Sequence, residues 1–444
     1  MTEDSSKTLV AATAAQSVQF VATVKLAYPV HFTRNLFGAG NGLLESVMRA
    51  GPEALPQRGL CFVDGGLNSA QPDLVARVVA YFEARPGILK LLHDPVVFPG
   101  GEAAKESFEI PHKVLRLARQ VRLSRQAYVL AIGGGAFLDA VGFAASLIHR
   151  GVRLLRMPST VLAQNDSGVG VKNGLNLGGV KNFLGTFAAP VAVLNDFALL
   201  ETLSDRDWIA GTAEAFKVAL IKDARFLEWL LANTSHVRAR TAGVMEHLIH
   251  QCAVLHLCHI QAAGDPFEQG AARPLDFGHW AAHKIESLSE HELRHGEAVG
   301  IGIAIDLLYA VRLGFIPASA VRRVVRGLRA VGLPLWHETL DMRDPGGRLF
   351  VLNGVEEFRE HLGGTLHITL PRPLGQKIEV NEIDAVAMTA AVADLRRLAH
   401  AQVPAHQRSL RGVTSPAARG RSREGPPRPS PHPTGEGPTA PFPA

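Results

Sequence analysis

Cysteine is scarce in this chain, and long apolar runs are absent. The three cysteines, Cys61, Cys252 and Cys258, are too few for a disulfide framework and lack C-x-x-C spacing, so reduced, mostly buried thiols are expected. No apolar run reaches the roughly twenty residues that span a bilayer. Met1 to Gln19 lacks the basic-then-apolar order of a signal peptide, so a cytoplasmic protein with no membrane partner is expected. Charge of one sign does not dominate either. The formal net charge is +5, and several arginines lie from Arg408 onward, outside any segment expected to fold, so no nucleic-acid partner is expected. No internal repeat is visible.

What is present suits a globular protein: 444 residues, 47% apolar and 20% charged. That length exceeds one ordinary core, so two domains are expected. Residues 1–17 read as a disordered leader, 18–200 as an α/β domain, 201–400 as a mainly α-helical domain, and 401–444 as a disordered Pro/Arg-rich tail. In the α/β part, strands are expected over Val18–Tyr28, Gly59–Val63, Leu89–Phe98, Ala127–Ile132, Val152–Met157 and Val191–Leu194. Helical patterns intervene at Pro72–Arg85, Lys105–Val121 and Phe137–Ile148, which predicts a parallel sheet wound by helices. From Asp205 almost to Leu333 the apolar spacing is helical, and a short strand-like run follows at Leu366–Leu370.

Three stretches carry candidate chemistry. The Ala127–Ile132 strand runs into Gly133-Gly134-Gly135 and then a helix, where backbone N–H groups and a helix N-terminus can accept a phosphate. The run Asp166–Asn182 holds a carboxylate, two lysines and several amides, too polar and glycine-rich for a good strand or helix; it reads as a loop suited to a phosphorylated polyol. In Asp276-Phe-Gly-His279-Trp-Ala-Ala-His283, the histidines share a helical face where a divalent metal can be held, and His295 begins the next segment. Glu214 and Lys217, three apart on an otherwise apolar helix, read as an ion pair or as a buried carboxylate completing that site.

These motifs form a collinear set. Gly-Gly-Gly-x-x-x-Asp139, His149-Arg150-Gly, Pro158-Ser-Thr-Val-Leu-Ala-Gln-x-Asp166-Ser, Lys172-x-Gly, Lys181-Asn182, Ala213-Glu214-x-x-Lys217, Gly278-His279-x-x-x-His283 and His295-Gly-Glu-Ala-Val resemble 3-dehydroquinate synthase and related sugar phosphate cyclases, from about Asp64 to Val299. The resemblance implies a Rossmann-like NAD-binding domain followed by a helical metal-binding domain, with the active site between them, in a homodimer. It implies a carbon–oxygen lyase that uses NAD catalytically. A hydroxyl is oxidised, phosphate is eliminated, the hydride is returned, and an aldol step closes a carbocycle. Zinc or cobalt would be held by Glu214, His279 and His295. The substrate pocket would use Arg150, Asp166, Lys172, Asn182, Lys217, Asp276 and His283. The NAD side would use Asp64, Glu102, Lys105, Gly134, Gly135, Asp139, Ser159 and Thr160.

Departures from the family pattern bear on the substrate. Where 3-dehydroquinate synthases carry an arginine and a lysine near the substrate carboxylate, this chain has Ala272 and Cys258, with Arg273 one place later. The family's asparagine three residues before the first metal histidine is Asp276 here. A carboxylated substrate would meet an extra negative charge and fewer cations, so sedoheptulose 7-phosphate, giving a valiolone-type cyclitol, is the expected substrate. Only Arg359 and His361 stand near the family's late lysine pair. The alternatives are an authentic 3-dehydroquinate synthase, a polyol dehydrogenase of the glycerol dehydrogenase type, and a degenerate scaffold that keeps the fold.

Overall fold

A computed structural model describes residues 19–21, 26–178, 180–265, 267, 273–290, 292–361 and 364–401. The expected leader, nearly all of the expected tail, and Ala272 lie outside the described residues.

Strands β1 (Val30–Thr33), β2 (Gln57–Asp64), β3 (Leu89–Leu91), β4 (Val96–Phe98), β5 (Tyr128–Gly133) and β6 (Arg153–Pro158) build a sheet. Between β6 and the sheet's last strand lies a hairpin of β7 (Lys172–Leu177) and β8 (Val180–Phe187), and β9 (Ala192–Asp196) then returns to the sheet. The order is β1-β9-β6-β5-β2-β3, with β4 also on β2, and each of these pairings is parallel. Helices cover both faces, so the central strands are buried on both sides. Their alternation sorts side chains into two cores: Leu60, Phe62, Val129 and Ala131 face one, and Cys61, Val63, Leu130 and Ile132 face the other.

The chain leaves β2 for β3 and β4 on one side, then crosses back to β5 on the other. A crevice therefore opens where β2 and β5 end, the position at which ligands bind in open α/β sheets. Asp64 ends β2, and Gly133 ends β5 just before the helix Gly135–Leu147. Glycine is required at Gly133, because a Cβ there would lie 2.8 Å from that of Asp64 and 2.6 Å from the Phe137 ring.

Among the described residues the first strand is Val30–Thr33, which pairs with β9, and much of the expected strand Val18–Tyr28 lies outside the described residues. Two local expectations need correction. The run Leu89–Phe98 is two strands, interrupted near Asp94-Pro95, where proline cannot supply a ladder N–H. The polar run Asp166–Asn182 is not a loop throughout. Lys172–Leu177 and Val180–Phe187 pair antiparallel, with Leu175 and Leu184 directly opposite each other, and Leu175 is buried under the Gly135 helix.

Beyond the sheet come helices Asp205–Ala210, Thr212–Lys222, Ala224–Arg238, Val244–Ala263, His279–Leu288, His295–Arg312, Ala318–Val331, Asn353–His361 and Ala385–His400, with β10 (Ile368–Pro371) antiparallel to β11 (Lys377–Val380). Among the described residues no helix is long and apolar enough to cross a membrane. The His295 helix is buried from Gly296 to Ala310 and forms the centre of this part. The His279 helix crosses it at very short range. A Cβ on Gly302 would lie 2.0 Å from the Gly278 carbonyl oxygen, and Gly278 itself has φ of 78°. Asp306, fully buried on the same helix, accepts hydrogen bonds from the Gly278 N–H (3.0 Å) and the Trp280 indole N–H (2.8 Å), holding the residues on both sides of His279.

Gly302→Ala should force these helices apart. The expected cost is about 1–3 kcal/mol, read as a lower urea midpoint with an unchanged m-value.

Candidate active site

The Glu214 carboxylate lies wholly inside the helical core, 0% exposed on the helix Thr212–Lys222. Burial drives its carboxyl upward, and Lys217, ion-paired one turn later, offsets part of that. Its Oε1 has no hydrogen-bond donor. Facing that oxygen are His279 Nε2 at 3.7 Å and His295 Nε2 at 3.8 Å, and one donor atom from each of the three residues lies within 4.8 Å of the others. Bonds of about 2.1 Å at tetrahedral angles separate donor atoms by about 3.4 Å, so the trio fits a divalent ion with little movement. A buried carboxylate oxygen without a donor is satisfied by a cation.

The ring nitrogens away from this point are both engaged. His279 Nδ1 lies 3.1 Å from the Phe277 carbonyl oxygen, and His295 Nδ1 lies 3.0 Å from Glu286 Oε2. Each bond fixes the tautomer that leaves Nε2 free as a ligand. Burial, with Lys217 nearby, holds the His279 imidazole well below its ordinary value and therefore neutral. Burial also lowers His295, but the Glu286 charge outweighs it and raises that imidazole. Glu286 is itself buried, which would raise its carboxyl; His295 and Lys181, at 2.8 Å, outweigh this and hold it well below the usual range. A second cluster, His283, Glu286 and His295, also has ligand-like spacing. Glu286 is already bonded to His295 Nδ1, so the Glu214 trio is the better cage. His283 is exposed, with its ring centre 5.5 Å from that of His279 and 5.9 Å from that of His295, at the mouth of the trio.

On the other side of Lys217 stands Asp166, in the turn Ala163–Ser167. Its Oδ1 lies 3.8 Å from Lys217 Nζ and 2.5 Å from His256 Nδ1. Burial would raise the Asp166 carboxyl, but Lys217 and His256 hold it below its ordinary range. Burial likewise opposes the charge on Lys217, and Asp166 and Glu214 outweigh it, keeping the ammonium charged. Asp276 is half-buried and also favours the Lys217 charge. His256 and Glu286 were not anticipated from sequence. A histidine on a long apolar helix and a glutamate after Lys-Ile show no spacing signal.

At the sheet end, Asp64 caps the helix Gly65–Ala70, accepting from the Gly66 N–H at 2.8 Å. Lys105 pairs with Asp139 at 2.7 Å and donates to the Asn182 side chain. Ser159 is buried behind Gly133, and the Thr160 hydroxyl accepts from the Ala163 N–H at 3.1 Å. Glu102, Gly134, Gly135, Thr160 and His295 all line one cavity of about 160 Å³, so the glycine turn opens toward the histidine cluster. A larger cavity of about 480 Å³ lies at the opposite end of β5 and β6, beside Arg125 and Arg153, and touches none of these residues.

Not every expected residue lies in the buried cluster. Arg150 is exposed beyond the far end of the Gly135–Leu147 helix, about 20 Å along its axis from the glycine turn. Lys172 is exposed at the start of β7, and Asn182 is exposed near Lys105. Cys258 is exposed on the Val244–Ala263 helix. Arg359 lies 3.6 Å from Glu356 on its own helix, and the side chains of Arg273 and His361 lie outside the described residues.

A parallel sheet with a glycine turn at its switch point, opening toward a helical part with a buried Glu–His–His cluster, defines a nucleotide-type fold joined to a metal-site scaffold. Comparison with known proteins narrows this class. Residues 95–210 match the family model for the 3-dehydroquinate synthase N-terminal region, and residues 211–348 match that for the C-terminal region. A 3-dehydroquinate synthase of Rhodospirillum rubrum is 32% identical over 381 residues, 85% of this chain and 94% of that protein. A solved 2-epi-5-epi-valiolone synthase from Streptomyces hygroscopicus subsp. jinggangensis, with NAD+ and Zn2+ bound, superimposes with a TM-score of 0.75 at 28% identity, covering 86% of this chain and 100% of that one. A 2-deoxy-scyllo-inosose synthase, solved with carbaglucose-6-phosphate, NAD+ and Co2+, shares the fold with a TM-score of 0.66 at 22% identity, covering 82% of this chain and 96% of that one. The chain belongs to the 3-dehydroquinate synthase family, whose members here include sugar phosphate cyclases.

Glu286→Gln should weaken divalent-metal affinity ten- to a hundredfold, in a competition titration with a chelator. A ligand must be deprotonated to bind, so native affinity should climb with pH until it passes the raised His295 value; in the variant that climb should occur at lower pH.

Proposed function

We propose that the protein is an NAD- and divalent-metal-dependent sugar phosphate cyclase acting on sedoheptulose 7-phosphate to give a C7 cyclitol, in the cytoplasm. One observation carries the substrate choice. Three lysines around the cleft are matched by the chain's own carboxylates: Lys217 by Glu214 and Asp166, Lys181 by Glu286, and Lys105 by Asp139. A substrate carboxylate would have to compete for them beside Asp276, with Cys258 where a family lysine stands. The likeness to the valiolone synthase supports the same choice, while the likeness to the Rhodospirillum protein supports the alternative, an authentic 3-dehydroquinate synthase.

In this reading Glu214, His279 and His295 hold the ion, and Asp64, Glu102, Lys105, Gly134, Gly135, Asp139, Ser159 and Thr160 line the NAD side. When bound, NAD supplies a reversible hydride acceptor and the ion supplies Lewis acidity toward neighbouring hydroxyls. Lys217, held charged, donates to a substrate hydroxyl oxygen, and Asp166 accepts from a neighbouring hydroxyl. Lys172 and Asn182 orient the phosphate, and His283 at the mouth exchanges protons during elimination. The carbon oxidised early is reduced again after phosphate leaves, so no NADH accumulates.

The reading includes a homodimer. Arg150 does not reach its own site, and Val180, Phe183 and Phe187 on the β7–β8 hairpin expose large apolar surface that a second copy would cover.

With NAD and Zn2+ or Co2+, the purified protein should release phosphate from sedoheptulose 7-phosphate without net growth of NADH absorbance. Turnover of the carboxylated heptulosonate phosphate alone would overturn the substrate choice, and stoichiometric NADH would favour a polyol dehydrogenase. Cys258→Lys should raise the relative kcat/KM for the carboxylated substrate about tenfold, the value of one added charged contact.

A further inference from the structure

The segment after Asp166 is held in an unusual way. Arg156 stands on β6 with its side chain fully buried, and among the described residues no carboxylate lies within ion-pair distance of it. Its guanidinium is directed instead at one short stretch of chain. Nη1 donates to the carbonyls of Gly168 (3.4 Å) and Gly170 (3.0 Å). Nη2 donates to the carbonyl of Lys172 (2.6 Å) and to Asn173 Oδ1 (2.5 Å).

The odd-numbered carbonyls between them turn the other way. That of Val169 accepts from the Tyr28 hydroxyl at 2.8 Å, and that of Val171 accepts from the Ala188 N–H at 2.9 Å. Every carbonyl from Gly168 to Lys172 thus has a donor, although sheet pairing begins only at Lys172. Asn173, the last partner of Arg156, sits against Gly142 of the Gly135 helix, where a Cβ would lie 1.9 Å from its Oδ1.

Burying a guanidinium without a contacting carboxylate is unfavourable, and a neutral residue would pack in a strand at less cost. What arginine offers is a rigid planar fork that bonds several carbonyls of an irregular segment at once. Asp166 lies just before the clamped stretch, and Lys172 lies inside it.

We infer that Arg156 is a positioning residue for the substrate pocket: by clamping Gly168–Asn173 it sets where Asp166 and Lys172 stand, while the Glu214–His279–His295 cluster is held by other elements. The substrate part of this inference rests on the proposed cyclase reading; the clamp itself does not.

The test compares native protein with Arg156→Met and Arg156→Lys. Amide hydrogen exchange should quicken at least tenfold in peptides covering residues 163–175 and stay unchanged in those covering 279–312. Co2+ affinity and the visible spectrum of the cobalt protein should match native. KM for sedoheptulose 7-phosphate should rise at least tenfold, with Arg156→Lys recovering part of the loss. If Arg156→Met does not fold, the same readings on Arg156→Lys decide. Unchanged exchange at 163–175, or an increase spread over the whole sheet, would overturn the clamp. A changed cobalt spectrum would overturn the separation of pocket from metal cluster. If native protein does not turn over the sugar phosphate, the cyclase reading fails while the exchange and cobalt readings still judge Arg156.

Discussion

The site depends on a carboxylate placed where water cannot reach it. Glu214 is wholly buried, and an ionised group there persists only if cations surround it. Lys217 supplies one from a single turn away, leaving Oε1 directed at two imidazoles. From this pair the charges alternate outward. Asp166 and His256 follow Lys217 on one side; beyond the histidines, Glu286 and Lys181 follow on the other. Most of these groups are largely buried, so water screens them weakly and each is stable because of its neighbours. Removing one member leaves the next uncompensated, a penalty larger than the worth of any single pair.

Such a ladder is useful only if its rungs are fixed. The two histidines sit on different helices, and the distance between them is set by backbone contact at Gly278 and Gly302 rather than by flexible side chains. Asp306 holds the residues on both sides of His279, and Glu286 holds His295. The imidazoles are therefore aimed before any ion arrives, so little ordering entropy is lost on binding.

Much of this was legible in the sequence, for identifiable reasons. The parallel sheet follows from buried strand runs alternating with helical patterns, and the switch-point turn from three successive glycines. The helical spacing of His279 and His283 suggested that both face one ion. The family resemblance instead gives Glu214, His279 and His295 as the ligands, and the structure brings those three together while leaving His283 exposed at the mouth. His256, Glu286, Asp306 and Arg156 carried no signal. Each acts through a partner beyond one helical turn: 90 positions between His256 and Asp166, 28 between Asp306 and Gly278, 12 to 17 between Arg156 and the groups it bonds, and 9 between Glu286 and His295. Local pattern reveals residues whose partners are one turn or one strand away, and these are not. The hairpin was missed because its composition is that of a loop; what makes it a hairpin is burial of Leu175 beneath a helix, a tertiary effect.

That hairpin also explains how the two ends of the cleft are kept in register. Asn176 donates to Glu102 at 3.2 Å and to Glu106 at 2.6 Å, which fastens it to the turn beside the glycines. Five residues on, Lys181 reaches Glu286 at 2.8 Å, which fastens it to the carboxylate behind His295. One short antiparallel pair thus spans from the nucleotide turn to the outer support of the metal cluster. On the proposed cyclase reading, a hydride is taken from a carbon beside the ion and later returned, which needs the hydride acceptor and the ion at a constant separation through several chemical steps. Two rigid parts joined by a hinge would not provide that. A crosspiece bonded to both does, and its polar composition follows from its task, since one end must match the exposed carboxylates of Glu102 and Glu106 and the other the buried one of Glu286, rather than pack against a core.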